Sequence, residues 1–298
     1  MFNKEYERYK ELIESHLLDF LPEIDRQSET LYESIKYSLT SGGKRIRPIL
    51  LLAASEFCGC DINSSLPYAA AVEYIHTYSL IHDDLPCMDD DEMRRGRPTN
   101  HMVFGQNISI LAGDGLLSAA FEIMIKDMLL YFDDPLKLKC RVRASYEIAK
   151  GAGCRGMVAG QVADIESQGR KCAKEYIEYI HLNKTAALIV SCIRAGAYLG
   201  CGDKDRLKAL TDYGEAIGLG FQISDDLLDI YGDTETMGKC SGQDDARSKC
   251  TFPMVYGVEE SKHKLKSLTD KATDIMEPFY DEGEFFTAVA KHLALRNK

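Results

Sequence analysis

Residues 104–131 read Phe-Gly-Gln-Asn-Ile-Ser-Ile-Leu-Ala-Gly-Asp-Gly-Leu-Leu-Ser-Ala-Ala-Phe-Glu-Ile-Met-Ile-Lys-Asp-Met-Leu-Leu-Tyr. Apolar side chains fall on nearly every face at helical spacing, which predicts a central, wholly buried helix. Its surroundings follow the same period. Tyr6, Tyr9, Leu12, Ile13, Leu17 and Phe20 recur every three or four residues over 4–20, and Pro22 ends the run. A weaker repeat covers 28–39, and the turn Ser41-Gly42-Gly43 follows it. Proline suits a first helical turn, so helices are predicted from Arg47-Pro48 to Phe57 and from Ser64-Ser65-Leu66-Pro67 to about Asp84. Further helical stretches are read at about 136–151, 155–168, 173–200, 204–231, 252–268 and 282–296, with loops near 86–100, 132–135, 201–203 and 232–250. Strand signals are nearly absent and no repeat or low-complexity linker interrupts the chain. The expected fold is all-α: one domain over 1–298, a bundle of roughly ten to twelve helices around the core helix.

The chain has 298 residues and a net charge of −11, which argues against non-specific nucleic-acid binding and makes any basic cluster informative. Its ten cysteines include no C-x-x-C pair and read as reduced thiols of a cytoplasmic protein. The first residues lack a signal-peptide apolar region, and no charge-free run reaches the ~18–20 residues of a membrane span.

Two acidic clusters each end an apolar helix. Asp83-Asp84-Leu85-Pro86-Cys87-Met88-Asp89-Asp90-Asp91-Glu92 is the first. Carboxylates this dense repel unless cations neutralise them, and Mg²⁺ takes one or two carboxylates together with substrate phosphates. A solvated loop accounts for Asp90, Asp91 and Glu92, but not for Asp83 and Asp84 after Ser79-Leu80-Ile81-His82. In the second, Asp225-Asp226-Leu227-Leu228-Asp229, Asp225 and Asp229 share a helix face, where like charges are unfavourable without a counter-ion. Two basic clusters accompany them: Gly42-Gly43-Lys44-Arg45-Ile46-Arg47-Pro48 and Arg94-Arg95-Gly96-Arg97. Guanidinium groups bind phosphate oxygens in pairs and Lys adds a compact charge, so the four clusters describe a site for polyphosphate.

With these motifs the chain resembles the trans-isoprenyl diphosphate synthase (polyprenyl synthetase) family, and within it the bacterial farnesyl diphosphate synthases. The matching stretches run in family order over about 40–255: 42–48, 76–97, Gly156-Met157-Val158-Ala159-Gly160-Gln161 with Asp164, Lys184-Thr185, 221–229, and lysines near 239 and 249. The resemblance implies an isoprenoid synthase fold and a homodimer. It implies that Asp83, Asp84, Asp89, Asp225, Asp226 and Asp229 hold three Mg²⁺ ions, for which Mn²⁺ would substitute. Lys44, Arg47, His76 and Arg95 would bind the diphosphate of isopentenyl diphosphate. Arg94, Lys184 and Lys239 would bind the allylic diphosphate, with Lys249 in the loop that closes over it. Thr185 and Gln222 would lie at the reacting allylic carbon, so Lys184, Thr185, Gln222 and Arg94 are the candidate catalytic residues. His82 is read as structural. Gln161, Asp164 and Asp114 read equally as partners of the metals or lysines and as ordinary helix polarity. Ser248 stands where the family commonly has glycine before the lysine, which puts the geometry of that loop in question.

Ionisation of the allylic C–O bond, attack on the cation by the isopentenyl double bond and loss of a proton need no protein nucleophile, and none is assigned. Tyr78 and Ser79 precede Asp83 by five and four residues, so Tyr78 sits about 7–8 Å down the helix. An aromatic there, with Pro86 and Cys87 inside the first motif, implies by resemblance a C15 product. A geranylgeranyl product, a non-catalytic partner subunit, a terpene cyclase and a His82-Asp83 phosphohydrolase are the competing readings. The cyclase needs no second diphosphate site, and the phosphohydrolase lacks further histidine ligands.

Overall fold

Proline and glycine set where the helices begin and stop. The computed structural model describes residues 2–23, 25–231 and 249–295. In the first half lie α1 (Phe2–His16), α2 (Glu29–Leu39), α3 (Ile46–Phe57), α4 (Leu66–Asp83), α5 (Asn100–Phe104), α6 (Gln106–Leu129) and α7 (Pro135–Ala152). Then come α8 (Met157–Ser167), α9 (Lys174–His181), a π-helical turn (Leu182–Ala186), α10 (Ala187–Leu199), α11 (Lys204–Tyr231), α12 (Phe252–Tyr256), α13 (Val258–Met276) and α14 (Tyr280–Leu295). Pro67 and Pro135 occupy first turns, where a missing N–H costs nothing. Asp134 caps α7 by accepting from the Lys137 N–H at 3.1 Å.

The structure redraws several boundaries. Gly105 (φ 83°) and Gly257 (φ 86°) adopt backbone geometry closed to other residues. They split α5 from α6 and α12 from α13, where the sequence suggested a helical stretch running through Gly105 from Phe104 and an unbroken helix over 252–268. The stretch expected as one helix over 173–200 contains the π turn. The expected loop 86–100 holds a small antiparallel ladder, β1 (Met93–Arg94) with β2 (Arg97–Pro98). Arg95 (φ 53°) and Gly96 (φ 73°) form its turn, and two successive positive φ values suit a tight hairpin.

The position of the innermost helix is also corrected. The enclosed elements are α4, packed on α3 and α6, and α10, packed on α3, α7 and α11. Tyr68, Tyr74, Ile75, Leu188, Cys192 and Ile193 lie inside them, fully buried. In contrast, α6 buries one face (Ala112, Leu116, Ala120, Ile123) and exposes Ile110, Leu111, Ile125 and Leu129. By length and composition alone α6 could cross a membrane, but its buried face packs on α2 and α4. All-round apolarity therefore marks a helix covered on one side by its own chain, with an apolar stripe left on the other.

Not every cysteine is a thiol. Cys172 and Cys250 form a disulfide across 78 residues of sequence, contrary to the expectation of reduced cysteines throughout. That separation left no local signal. Cys58, Cys60, Cys87, Cys140, Cys154, Cys192 and Cys201 are free, and Cys240 lies outside the described residues.

Candidate active site

The end of α4 carries the first acidic motif. Asp84 is buried, and the Arg94 Nε–H donates to its two oxygens at 2.7 and 2.8 Å. Arg94 also lies 3.4 Å from Asp91. Asp83 accepts from Gln161 Nε2 of α8 at 2.9 Å, and Asp89 lies 3.1 Å from Lys249 Nζ. Burial pushes the Asp83 carboxyl above the usual range, and Asp89 adds to the shift while Lys184, Arg94 and Lys249 oppose it. A carboxylate held this way gains from any cation brought to it.

The π turn carries the next pair. Widening the helix by one residue rotates Lys184 and Thr185 together, a distortion that often marks functional sites. Lys184 Nζ contacts Asp164 of α8 at 2.6 Å. Burial works against its charge, but Asp164, Asp83 and Asp89 outweigh it and raise its pKa. The turn fits because α8 has glycine opposite it. A Cβ on Gly160 would lie 2.0 Å from the Lys184 backbone N.

Helix α11 supplies the opposite wall. The Thr185 hydroxyl donates to Gln222 Oε1 at 2.6 Å, and Gln222 Nε2 donates to Asp226 Oδ1 at 2.8 Å. Asp226 Oδ2 accepts the Phe252 N–H at 2.8 Å and lies 3.3 Å from His181 Nε2. Asp226 is therefore buried with both oxygens facing protein groups, a less open position than a shared metal motif suggested. Sequence reasoning assigned His181 no role. Its ring stacks on Phe252 at 5.8 Å, and its Nδ1 is buried without a partner. Only the fold brings residues 181, 226 and 252 together.

Between the walls lies a basic cluster. His76 has Arg47, Arg95, Arg94 and Arg45 around it. Burial first, and these four charges after it, hold the imidazole well below its usual range, so it is neutral near pH 7. Burial also lowers the pKa of Arg47 and Arg95. Arg47 Nε is buried without a partner, and Arg47 feels the charge of Asp225 on α11. Cations crowded into a desolvated space repel one another unless an anion joins them. The Arg95 guanidinium donates to the Gly42 carbonyl and fills the space where a Gly43 Cβ would be, 2.7 Å away. Arg45 has a structural task instead, in a buried ion pair with Glu73 at 2.6 Å. Lys44 is exposed, and its carbonyl accepts from the Tyr6 hydroxyl.

Other sequence candidates fall as follows. Tyr78 is buried in the main core, its ring edge-on to His82 at 5.7 Å, and Ser79 bonds to the His76 carbonyl. His82 Nε2 meets the Ile110 carbonyl at 3.0 Å, a structural contact. Asp114 is exposed and lies 3.9 Å from His82, the residue before Asp83. Lys239 and Ser248 lie outside the described residues.

The donors offered to a metal are hard oxygens, which suit Mg²⁺. Among the described residues no three His, Cys, Asp or Glu side chains already converge as a metal cage. The buried, unpartnered Gln161 Oε1 beside Asp83 is a further oxygen lacking a donor or cation. The residues present fit the ion.

A polyprenyl synthetase family model matches residues 28–281. Farnesyl diphosphate synthase of Bacillus subtilis is 44% identical over 256 residues, covering 86% of this chain and 85% of the relative. The heterodimeric geranylgeranyl pyrophosphate synthase large subunit 1 of Arabidopsis thaliana, a chloroplastic protein, is 43% identical over 275 residues, covering 91% and 73%. Among solved structures, an FPP/GFPP synthase from Zymomonas mobilis superposes with a TM-score of 0.86 at 32% identity, covering 98% of each chain. The geranyltransferase of Legionella pneumophila gives 0.86 at 30%, covering 99% of this chain and 98% of that one.

Proposed function

This chain belongs to the polyprenyl synthetase family and is a trans-prenyl diphosphate synthase, and from that premise we propose that its product is farnesyl diphosphate. It would condense isopentenyl diphosphate with dimethylallyl and then geranyl diphosphate, releasing diphosphate. The observation that carries the C15 reading is the buried Tyr78 ring below Asp83. At 1.5 Å per residue it lies about 7–8 Å down the helix from the motif, where an aromatic ring can floor the pocket for the growing chain. Geranylgeranyl synthases among the relatives keep C20 as the second reading. Residues 1–298 are taken as one polyprenyl synthetase domain acting in the cytoplasm.

The chain's own residues divide the work. Asp83, Asp89, Asp225 and Asp229, with Asp84 and Asp226 behind them, would hold Mg²⁺, which bound there neutralises diphosphate and stabilises it as a leaving group. Arg94, Lys184 and Lys249 would add fixed positive charge to the allylic diphosphate, a role also assigned to Lys239, which lies outside the described residues. Preorganised charge of this kind lowers the barrier to C–O ionisation because nothing must reorient as charge develops. Arg47, Arg95 and Lys44 would bind the second diphosphate beside His76, whose neutrality lets it donate a hydrogen bond without adding to the crowded charge. The Thr185 hydroxyl donates to Gln222 Oε1, whose amide is fixed by Asp226 behind it, and the two oxygens would stabilise the allylic cation. With water excluded, the isopentenyl double bond is the nucleophile that remains, and the departing diphosphate accepts the proton lost.

The exposed stripe Ile110, Leu111, Ile125 and Leu129 supports a homodimer through α6. The test of product length is a set of incubations with labelled isopentenyl diphosphate and each starter, sizing the alcohols after phosphatase. C15 as the end point from both shorter starters supports the reading, and C20 replaces it.

A further inference from the structure

Residues 249–252 touch both acidic motifs with their own polar atoms. Lys249 Nζ lies 3.1 Å from Asp89, and the Phe252 N–H donates to Asp226 at 2.8 Å. Between these contacts, Cys250 is disulfide-bonded to Cys172 on the loop joining α8 to α9. Helix α8 itself supplies Gln161 to Asp83 and Asp164 to Lys184. One covalent bond therefore ties a segment that reaches two aspartate motifs to the loop that follows the helix supporting the first motif and Lys184. Cys250 also packs against the small cluster of Ala163, Ile177 and Ile180. That contact keeps the two sulfurs near each other when the bond is open. Both cysteines are half-buried, so reagents in solution can reach them.

We propose that Cys172 and Cys250 form a thiol–disulfide modification site that sets the turnover of the adjoining active site. Its co-reactant is a disulfide of a small thiol. One cysteine thiolate attacks a sulfur of that disulfide, and a mixed disulfide forms as the first small thiolate leaves. The second cysteine thiolate attacks the protein sulfur of the mixed disulfide, the S–S bond to the small thiol breaks, and the second small thiolate leaves, closing Cys172–Cys250. In balance, two protein thiols give up two electrons and two protons, and the small disulfide becomes two thiols; excess thiol reverses the exchange.

The consequence is mechanical. Closed, the bond holds Lys249 at the first acidic motif and Phe252 at Asp226, so a bound diphosphate is gripped more firmly and leaves more slowly. Open, the same contacts rest on hydrogen bonds and packing alone and can yield as diphosphates exchange. Product release limits many enzymes, so the open form should turn over faster with weaker substrate binding. The kinetic part rests on the prenyl-transfer reading above.

A second pair makes the control necessary, because Cys140 and Cys201 sulfurs lie 2.7 Å apart as free thiols and would meet the same oxidant. The full chain and the double variant Cys172→Ser/Cys250→Ser are equilibrated at a series of oxidised-to-reduced glutathione ratios. Free thiols are then trapped by alkylation and located by peptide mass spectrometry. In parallel, kcat and KM are measured with geranyl and isopentenyl diphosphates, and inorganic diphosphate dissociation is followed with Mg²⁺ present. Residues 172 and 250 should lose alkylation together as the ratio rises. In the parent chain, kcat, KM and the diphosphate Kd should rise severalfold on reduction; the double variant should not respond. Alkylation of both thiols at every ratio would overturn the proposal, as would equal diphosphate affinity in the two trapped states. Redox-dependent diphosphate binding without elongation would sink the prenyl-transfer reading and leave this site standing.

Discussion

Gly160→Ala tests the contact that places Lys184. The added Cβ would sit 2.0 Å from Lys184 N, 2.5 Å from its Cα and 2.7 Å from the Asn183 carbonyl carbon. All three are backbone atoms, so no side chain can turn aside. Ordinary contact begins near 3.4 Å, and α8 and the π turn must therefore part by about 1.4 Å. Overpacking of this kind costs about 1–3 kcal/mol, or more where only backbone can yield. At about 2–4 °C per kcal/mol in domains somewhat smaller than this one, Tm should fall by several degrees. The displacement also carries Lys184 away from Asp164 and Thr185 from Gln222. Misplacing a catalytic group by about 1 Å can cost roughly 100-fold, so kcat/KM should fall on that order. Gly115→Ala is the control, because its Cβ meets only the side-chain tips of Ile35 at 3.4 Å and Leu31 at 3.8 Å, and alanine favours a helix. Thermal unfolding and steady-state kinetics on both variants decide the matter. A Gly160→Ala protein with parental Tm and kcat/KM would refute the close approach and the role given to the π turn.

Four other predictions follow from the same geometry. Tyr78→Ala should move the end product from C15 toward C20 with initial rates largely kept, and an unchanged product would remove Tyr78 as the floor. Arg94→Lys loses the paired contact with Asp84; leaving that buried carboxylate poorly satisfied should cost about 1–3 kcal/mol of stability and lower kcat/KM for the allylic substrate, whereas full activity would show that charge alone suffices. His76 is held neutral, so below about pH 6.5 the unfolded chain takes up a proton that the folded chain refuses, and stability falls as pH drops. His76→Asn should therefore flatten the acid side of the Tm–pH curve, and parallel curves would contradict the burial argument. Ile125→Lys on the exposed α6 stripe should convert a dimer to a monomer in light scattering; a parental mass would place the interface elsewhere.

Much of this site could be read from residue order because its chemistry is local. Asp83 and Asp84 end one helix, Asp225 and Asp229 share a face of another, and Lys184-Thr185 and Arg94-Arg95 are adjacent pairs. What escaped the sequence depends on long-range approach. The disulfide joins residues 78 apart, and Asp226 meets Phe252 only after the chain returns to α11. The π turn has no propensity signature, and Gly160 explains it only once its neighbour is known. Helix α6 was misplaced for a different reason. Periodicity reports how much of a helix is apolar and says nothing about whether its own chain or another molecule covers it. Arg45 was grouped with the phosphate-binding cations because charge density cannot distinguish a buried partner of Glu73 from a ligand-facing guanidinium.

Substrate-dependent diphosphate release tests the central claim most directly. The purified chain with Mg²⁺ is given geranyl diphosphate alone, isopentenyl diphosphate alone, and both together, and released diphosphate is measured beside labelled lipid product. Prenyl transfer predicts release only with both substrates, one diphosphate for each isopentenyl unit incorporated. Equal release from geranyl diphosphate alone would mean hydrolysis or cyclisation, and would contradict the account.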